Sequence, residues 1–401
     1  MSAFHARYAK EGPRNQPFHP AMMVKVLLYG YATGVFSSRK LSAKLHEDVA
    51  LRVLAAGNFP KHRTLSDFRA LHLKELAALF VQVAQLAREC RLIKLGTITV
   101  DGTKLKANAS RHKAMSYGRM REEQARLEAE IAQLLERARR TDEKEEAQPH
   151  VDIPAQLQRR EKRLEMIRAA RERLQARQAE EDSARGRKPG DERQPRHPDG
   201  SPKRGKRYKR EFGQPDDKAQ ENFTDPDSRI MKCAGGGFDQ CYNAQAAVDA
   251  EQQIIVAAEL TNCAADNDQL VPMLDAVERN LGAAPERALA DAGYRGEEVF
   301  EQLHSRPTRC LVALGREGRE QLQIDAAEYP HTAQMAVRLD SQDGEAAYRR
   351  RKAIAQAPNG WIKHVLGFRQ FSLRGLDKAR GEWKLVCLAL NLRRMCTLVA
   401  A

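Results

Sequence analysis

The β-forming run Thr97-Ile98-Thr99-Val100 leads directly into Asp101, and no comparable run follows until Cys241. A lone strand has no stable existence in water, so its partners must come from beyond the intervening segment. The chain is therefore constrained to a sheet whose first hairpin is interrupted by a large insertion.

The segments after the insertion alternate. CYNAQAAVDAE (241–251) and QQIIVAAELT (252–261) read as two antiparallel strands. DNDQLVPMLDAVERNLG (266–282) reads as a helix with an Asp/Asn-rich start and a glycine stop. ERALADAGYRG (286–296) is a short buried strand ending in Asp291, GEEVFEQLHS (296–305) a helix, and RCLVALGRE (309–317) another strand. Basic helices run from Ala346 to the end. The order β-β-β-α-β-α-β-α predicts an α/β fold with a mixed central sheet flanked by helices.

Residues 111–210 differ in character. Leu127, Ile131, Leu134 and Ala138 keep a 4-3-4 spacing, and Leu157, Leu164, Ile167 and Leu174 form a similar seam. That pattern predicts an antiparallel helical hairpin with heptad packing. The segment holds 28 Lys and Arg against 19 Asp and Glu, a net +9 of the chain's +14. It ends in KRGKRYKR (203–210), after a Pro/Gly-rich stretch expected to be disordered. Such a cationic cluster suits phosphate-backbone contact, and the net charge makes an acidic polymer the natural partner.

Residues 1–95 read as all-helical. AMMVKVLLYGYATGVF (21–36) is an apolar helix, SSRKLSAKLHEDVALRVLAAG (37–57) shows helical periodicity behind a serine cap, and TLSDFRALHLKELAALFVQVAQLAREC (64–90) gives more helix. A helix-turn-helix-like DNA module and a plain helical bundle fit this stretch equally well. The expected domains are 1–95 (helical, DNA-binding type), 96–110 with 222–401 (sheet domain), and 111–221 (inserted hairpin with a basic linker). The seven cysteines lack Cys-x-x-Cys spacing, no two histidines share metal-ligand spacing, and no stretch approaches a membrane span. These features lead us to expect a cytoplasmic, nucleoid-associated protein with no membrane partner.

Asp101 on the first strand and Asp291 at the end of the fourth would be neighbours in a sheet of this order, at the strand ends where α/β sites gather. Two adjacent carboxylates repel unless a divalent cation lies between them, and paired cations serve phosphoryl transfer. A third carboxylate from a late helix is the usual complement. In KAIAQAPNGWIKHVLGFR (352–369), Lys352, Gln356 and Lys363 share one helical face, and the segment has no carboxylate. Pro358-Asn359-Gly360 is expected to interrupt or kink that helix.

TVDGTKLKANAS, YNAQAAVD, ALADAGYRG and YRRRKAIAQAPNGWIKHVLGFRQFSLRGLDKARGEWKLVCLALNL, in this order, resemble the landmarks of DDE transposases of bacterial insertion sequences. FHPAMMVKVLLYGYATGVFSSRKL and NFPKHRTLSDFR resemble that group's helical N-terminal domain. The resemblance covers nearly the whole chain. It implies an RNase H-like fold, Mg²⁺ or Mn²⁺, DNA (element ends and target) as partner, and strand cleavage and transfer within a homodimer or larger synaptic complex. Asp101 and Asp291 match the first two catalytic acids and metal ligands. Tyr348, Lys352 and Lys363 match the late signature, whose glutamate falls at Gln356. Lys104, Tyr348, Arg351, Lys352 and Lys363 are the expected DNA contacts. A glutamine keeps the size and an acceptor oxygen but loses the charge, which makes it a poor ligand for a hard cation. The expectation is therefore a transposase whose copy here is weak or inactive; the alternative is a catalytically dead, transposase-derived DNA-binding protein. The resemblance begins almost at Met1, where a shortened N-terminus is a further expectation.

Overall fold

The first strand spans Thr97–Lys106 (β1) in a computed structural model that describes residues 4, 18–144, 153–190, 193–194, 201, 207–233, 235–315 and 324–400. It is followed by β2 (Ala114–Ser116), β3 (Gln220–Asn222), β4 (Arg229–Lys232), β5 (Phe238–Asp249), β6 (Ile255–Thr261), β7 (Arg287–Ala290) and β8 (Arg309–Val312). The main sheet runs β4-β5-β1-β7-β8, with β6 also paired to β5. β1 is antiparallel to β5, with Asp101 opposite Ala246, and parallel to β7, with Thr99 opposite Leu289. The expected neighbouring of first and fourth long strands is therefore present, and the mixed sheet flanked by helices is the predicted architecture. The short β2, β3 and β4 are additional to the sequence reading.

The chain forms two compact units, residues 1–108 with 231–401, and residues 109–230. In the second unit, helices Tyr117–Lys144 and Ile153–Ala184 enclose a core of Met120, Leu127, Leu164, Ile167 and Leu174. Ion pairs Glu130–Arg160 and Glu128–Arg168 and the bond from Arg171 to Gln124 join the helices in opposite sequence order. The hairpin is therefore antiparallel within one chain. Gln175 donates to Tyr117 between the two helices, and the buried Glu221 of β3, held by Arg173 and Arg177, fixes the hairpin's base to β2–β3. Much of the Pro/Gly-rich stretch, and Lys203–Lys206 of the basic run, lie outside the described residues, as do residues 5–17.

In the first unit, Ser37 caps helix Ser38–Glu47 as expected, accepting from the Lys40 N–H. Asp48 then caps a separate short helix, Val49–Leu54. The helical stretch read over 64–90 is divided into His62–Leu71 and Leu73–Glu89, bent by 71°. The C-terminal helix Leu376–Ala400 packs against Leu73–Glu89, helix Pro20–Ala32 and β6. Asn391 of this helix donates to Ile255 O (2.8 Å) and accepts from Ile255 N (2.9 Å), which satisfies backbone groups at the sheet edge. Trp383 is fully buried and donates to Gln245 O, whereas Trp361 is 40% exposed beneath the Arg393 guanidinium. No single described helix is long and apolar enough to cross a membrane.

A buried polar cluster joins the N-terminal helices to the C-terminal one. Tyr31 donates to Glu382 Oε1 (3.0 Å), Arg69 donates to Tyr31 (2.8 Å), and Glu382 also accepts from the backbone of Ser372 and Leu373. Burial, reinforced by the Glu382 charge, holds the Tyr31 phenol well above its ordinary pKa. Removing one member of such a cluster strands the others without partners. Glu382→Ala is expected to lower unfolding free energy by about 3–5 kcal/mol, and Tyr31→Phe by about 1–2 kcal/mol; urea denaturation of both variants measures this.

Candidate active site

β1 carries Asp101 at its middle, and alternation along the strand puts Thr103 on the same face. β7 runs parallel, and two residues beyond the Thr99–Leu289 pair it delivers Asp291 to the level of Asp101. Asp291 Oδ1 accepts from the Gly293 N–H (2.8 Å) and caps the turn Ala292–Tyr294. That cap explains the Asp-Ala-Gly-Tyr motif locally: glycine leaves the N–H open to the carboxylate, and a Cβ there would lie 2.9 Å from Asp291 Oδ1.

Asp101 is half-buried, and its carboxyl is pushed up to about 6, chiefly by burial and next by the charge of Asp291. The Arg351 guanidinium and a hydrogen bond from Asn359 Nδ2 to Asp101 Oδ2 (3.0 Å) oppose the rise. A buried carboxylate with a second carboxylate beside it is suited to sharing a cation with that neighbour.

A third carboxylate, Asp266, enters from the loop after β6. Its Oδ1 accepts from Asn243 Nδ2 (2.6 Å), Gln245 Nε2 (2.8 Å) and Lys104 Nζ (3.1 Å). Tyr294 in turn donates to Gln245 Oε1. Burial first, then the charges of Asp266, Asp101 and Asp291, hold the Tyr294 phenol well above its usual range. Gly102 is dictated by this crowding, because a Cβ would meet Gln245 Nε2 at 2.5 Å and Asp266 Oδ1 at 2.7 Å. Asp266 was read from sequence only as part of a helix start. The available signal was Asn243 and Gln245 themselves: two amides on one face of a buried strand require a polar partner.

The late region is helical over Gln342–Arg349 and Arg351–Gly360, then continues as a π-turn, Trp361–Val365. Pro358 therefore does not end the helix. Asp343 anchors the region to Arg287 of β7 and Arg309 of β8. Ile354, Ala355, Pro358 and Ile362 are buried, and the adjoining face leans over β1. Lys363 donates to Thr103 Oγ1, and burial lowers its pKa against the pull of Asp101. Arg351 is half-buried and stacks on Tyr348 at 5.6 Å. Gln356 and Lys352 are exposed. The structure thus brings together Asp101, Asp291, Lys363 and Arg351 and adds Asn359 and Asp266. Lys104 is ion-paired with Asp266, and Gln356 stands one helical turn before Asn359.

Residues 213–392 match the family described as Transposase DDE domain, and residues 1–71 match Transposase domain (DUF772). The chain belongs to the insertion-sequence DDE transposases. The sheet is accordingly the RNase H-like core of a transposase. No curated protein and no solved structure matches the chain.

Because folding raises the Asp101 pKa, protonated Asp101 is favoured in the folded state. Stability from this group is greatest below about pH 4 and is lost as pH rises through about 6. Asp101→Asn is expected to raise unfolding free energy at pH 8 by on the order of 2 kcal/mol, a gain that vanishes near pH 4. Denaturant titrations at the two pH values check this, and an equal gain at both overturns it.

Proposed function

We propose that this transposase binds the DNA ends of its insertion sequence and holds Mg²⁺ or Mn²⁺ between Asp101 and Asp291 for strand cleavage and transfer. The observation that carries this reading is the level placement of the two carboxylates on adjacent parallel strands, where the charge of Asp291 adds to the burial that raises Asp101. The donor chemistry suits one hard cation. It is short for a two-cation site, since among the described residues no group of three or more His, Cys, Asp or Glu side chains could hold a metal. A bound cation supplies charge neutralisation for phosphoryl transfer.

The chain's own residues supply the rest of this reading. Lys363, held at Thr103, and Arg351 present positive charge beside Asp101 for a DNA phosphate. Exposed Lys352 extends the cationic face, and Tyr348 supports Arg351 by stacking. Lys104 is better placed to hold Asp266, and through it the amides of Asn243 and Gln245, than to bind DNA freely. Work as a homodimer or larger synaptic complex in the nucleoid completes the proposal.

The second reading, a DNA-binding protein without catalysis, is favoured by Gln356, an exposed neutral amide where the family resemblance places a glutamate. Mn²⁺-dependent nicking of DNA carrying the flanking element ends separates the two. Gln356→Glu is expected to nick about 100-fold faster than the natural chain, since even outer-shell changes at metal sites cost about 10–100-fold. Equal rates would remove Gln356 from the reaction. Loss of Mn²⁺-dependent nicking in Asp101→Ala and Asp291→Ala is expected in any active background.

A further inference from the structure

The late helix meets β1 at two points on one face. Lys363 reaches Thr103, and Asn359 reaches Asp101 two residues earlier on the strand. Helix and strand therefore advance in the same direction. Asn359 stands level with Asp101 and Asp291, whereas Gln356 lies three residues, about 4.5 Å of helical rise, short of that level. A glutamate at 356 would have to extend along the helix to share a cation with Asp101, whose Oδ2 already accepts from Asn359.

The orientation of the Asn359 amide follows from its partner. Turning its oxygen toward Asp101 would set two acceptors against each other, so the NH₂ faces the carboxylate. An amide N–H also directs positive charge at the space beside Oδ2. A carboxylate oxygen has further lone pairs, so other approaches to Asp101 stay open. The approach from the late helix, which joins Asp101 to position 356, is the one filled.

We propose that Asn359 acts as an internal substitute for a cation at Asp101, so that two amides, Asn359 and Gln356, and not Gln356 alone, keep the late helix from completing the site. This inference rests on the reading of Asp101 and Asp291 as cation ligands. Its consequence is that restoring a glutamate at 356 repairs only part of the site while Asn359 remains bonded to Asp101.

Mn²⁺ binding, followed by the electron paramagnetic resonance signal of free Mn²⁺, tests this without reference to activity. The chains compared are the natural protein, Asn359→Ala, Gln356→Glu and the double variant, each also with Asp101→Ala. Loss of a hydrogen bond that competes with the cation is expected to tighten Mn²⁺ binding about tenfold in Asn359→Ala. The double variant is expected to bind more tightly than Gln356→Glu alone. Asn359→Leu, which keeps the approximate shape and offers neither a donor nor a cation ligand, is expected to tighten binding as well and decides the matter if the alanine variant folds poorly by circular dichroism. Affinity that depends on Asp101 but is unchanged or weakened by Asn359→Ala and Asn359→Leu overturns the proposal alone. Affinity indifferent to Asp101→Ala in every background overturns both the proposal and the cation reading beneath it.

Discussion

The two-sided pairing of β1 is the constraint on which the rest depends. Its antiparallel ladder to β5 and its parallel ladder to β7 both recruit chain from beyond the insertion. A parallel neighbour cannot be reached by a tight turn, so the chain must cross over through helix Leu270–Leu281. That crossing delivers Asp291 beside Asp101. The same central position buries Asp101 enough for its charge to be disfavoured. Fold topology and site electrostatics therefore have one cause.

Beneath the two acids, satisfaction of polar groups governs the structure. Asn243 and Gln245 are fully buried on β5, where an unpaired amide costs about 1–3 kcal/mol. Asp266 accepts from both, Lys104 offsets its charge, and Tyr294 takes the remaining oxygen of Gln245. The cluster ties β1, β5, the loop after β6 and the turn after β7 into one polar unit. It leaves no room for a side chain at position 102. The Tyr31–Arg69–Glu382 cluster solves the same problem between the N-terminal helices and the C-terminal helix, at a distance in sequence that no local pattern spans.

The family's sheet is present, while the late helix brings one amide, Asn359, to the acids. Asn359 touches Asp101 directly, and Lys363 and Arg351 provide cationic neighbours. The arrangement is well supplied with positive charge and poor in the carboxylates that hard cations prefer. The inserted hairpin stands as a self-contained structural unit, since its seam residues are used within one chain.

Strand order, the crossover, the hairpin seams and the positions of Asp101 and Asp291 were legible in the sequence, because alternation, heptad spacing and strand-end acids are local patterns. The break at Asp48, the 71° bend near His72 and the π-turn after Gly360 were not, because helical periodicity continues across them and only packing determines where the axis turns. Asp266 and Asn359 were also hidden. Each is an ordinary polar residue in its own segment and gains meaning only from partners 20 to 260 residues away, as with Asp266 and Gln245 (21) or Asn359 and Asp101 (258). The sequence by itself determined which segments are the long strands, which helices wind together and which acids those strands carry, since these follow from near-neighbour chemistry. Only the tertiary structure decided which side chain of the late helix reaches Asp101, because that depends on the level at which helix and strand cross.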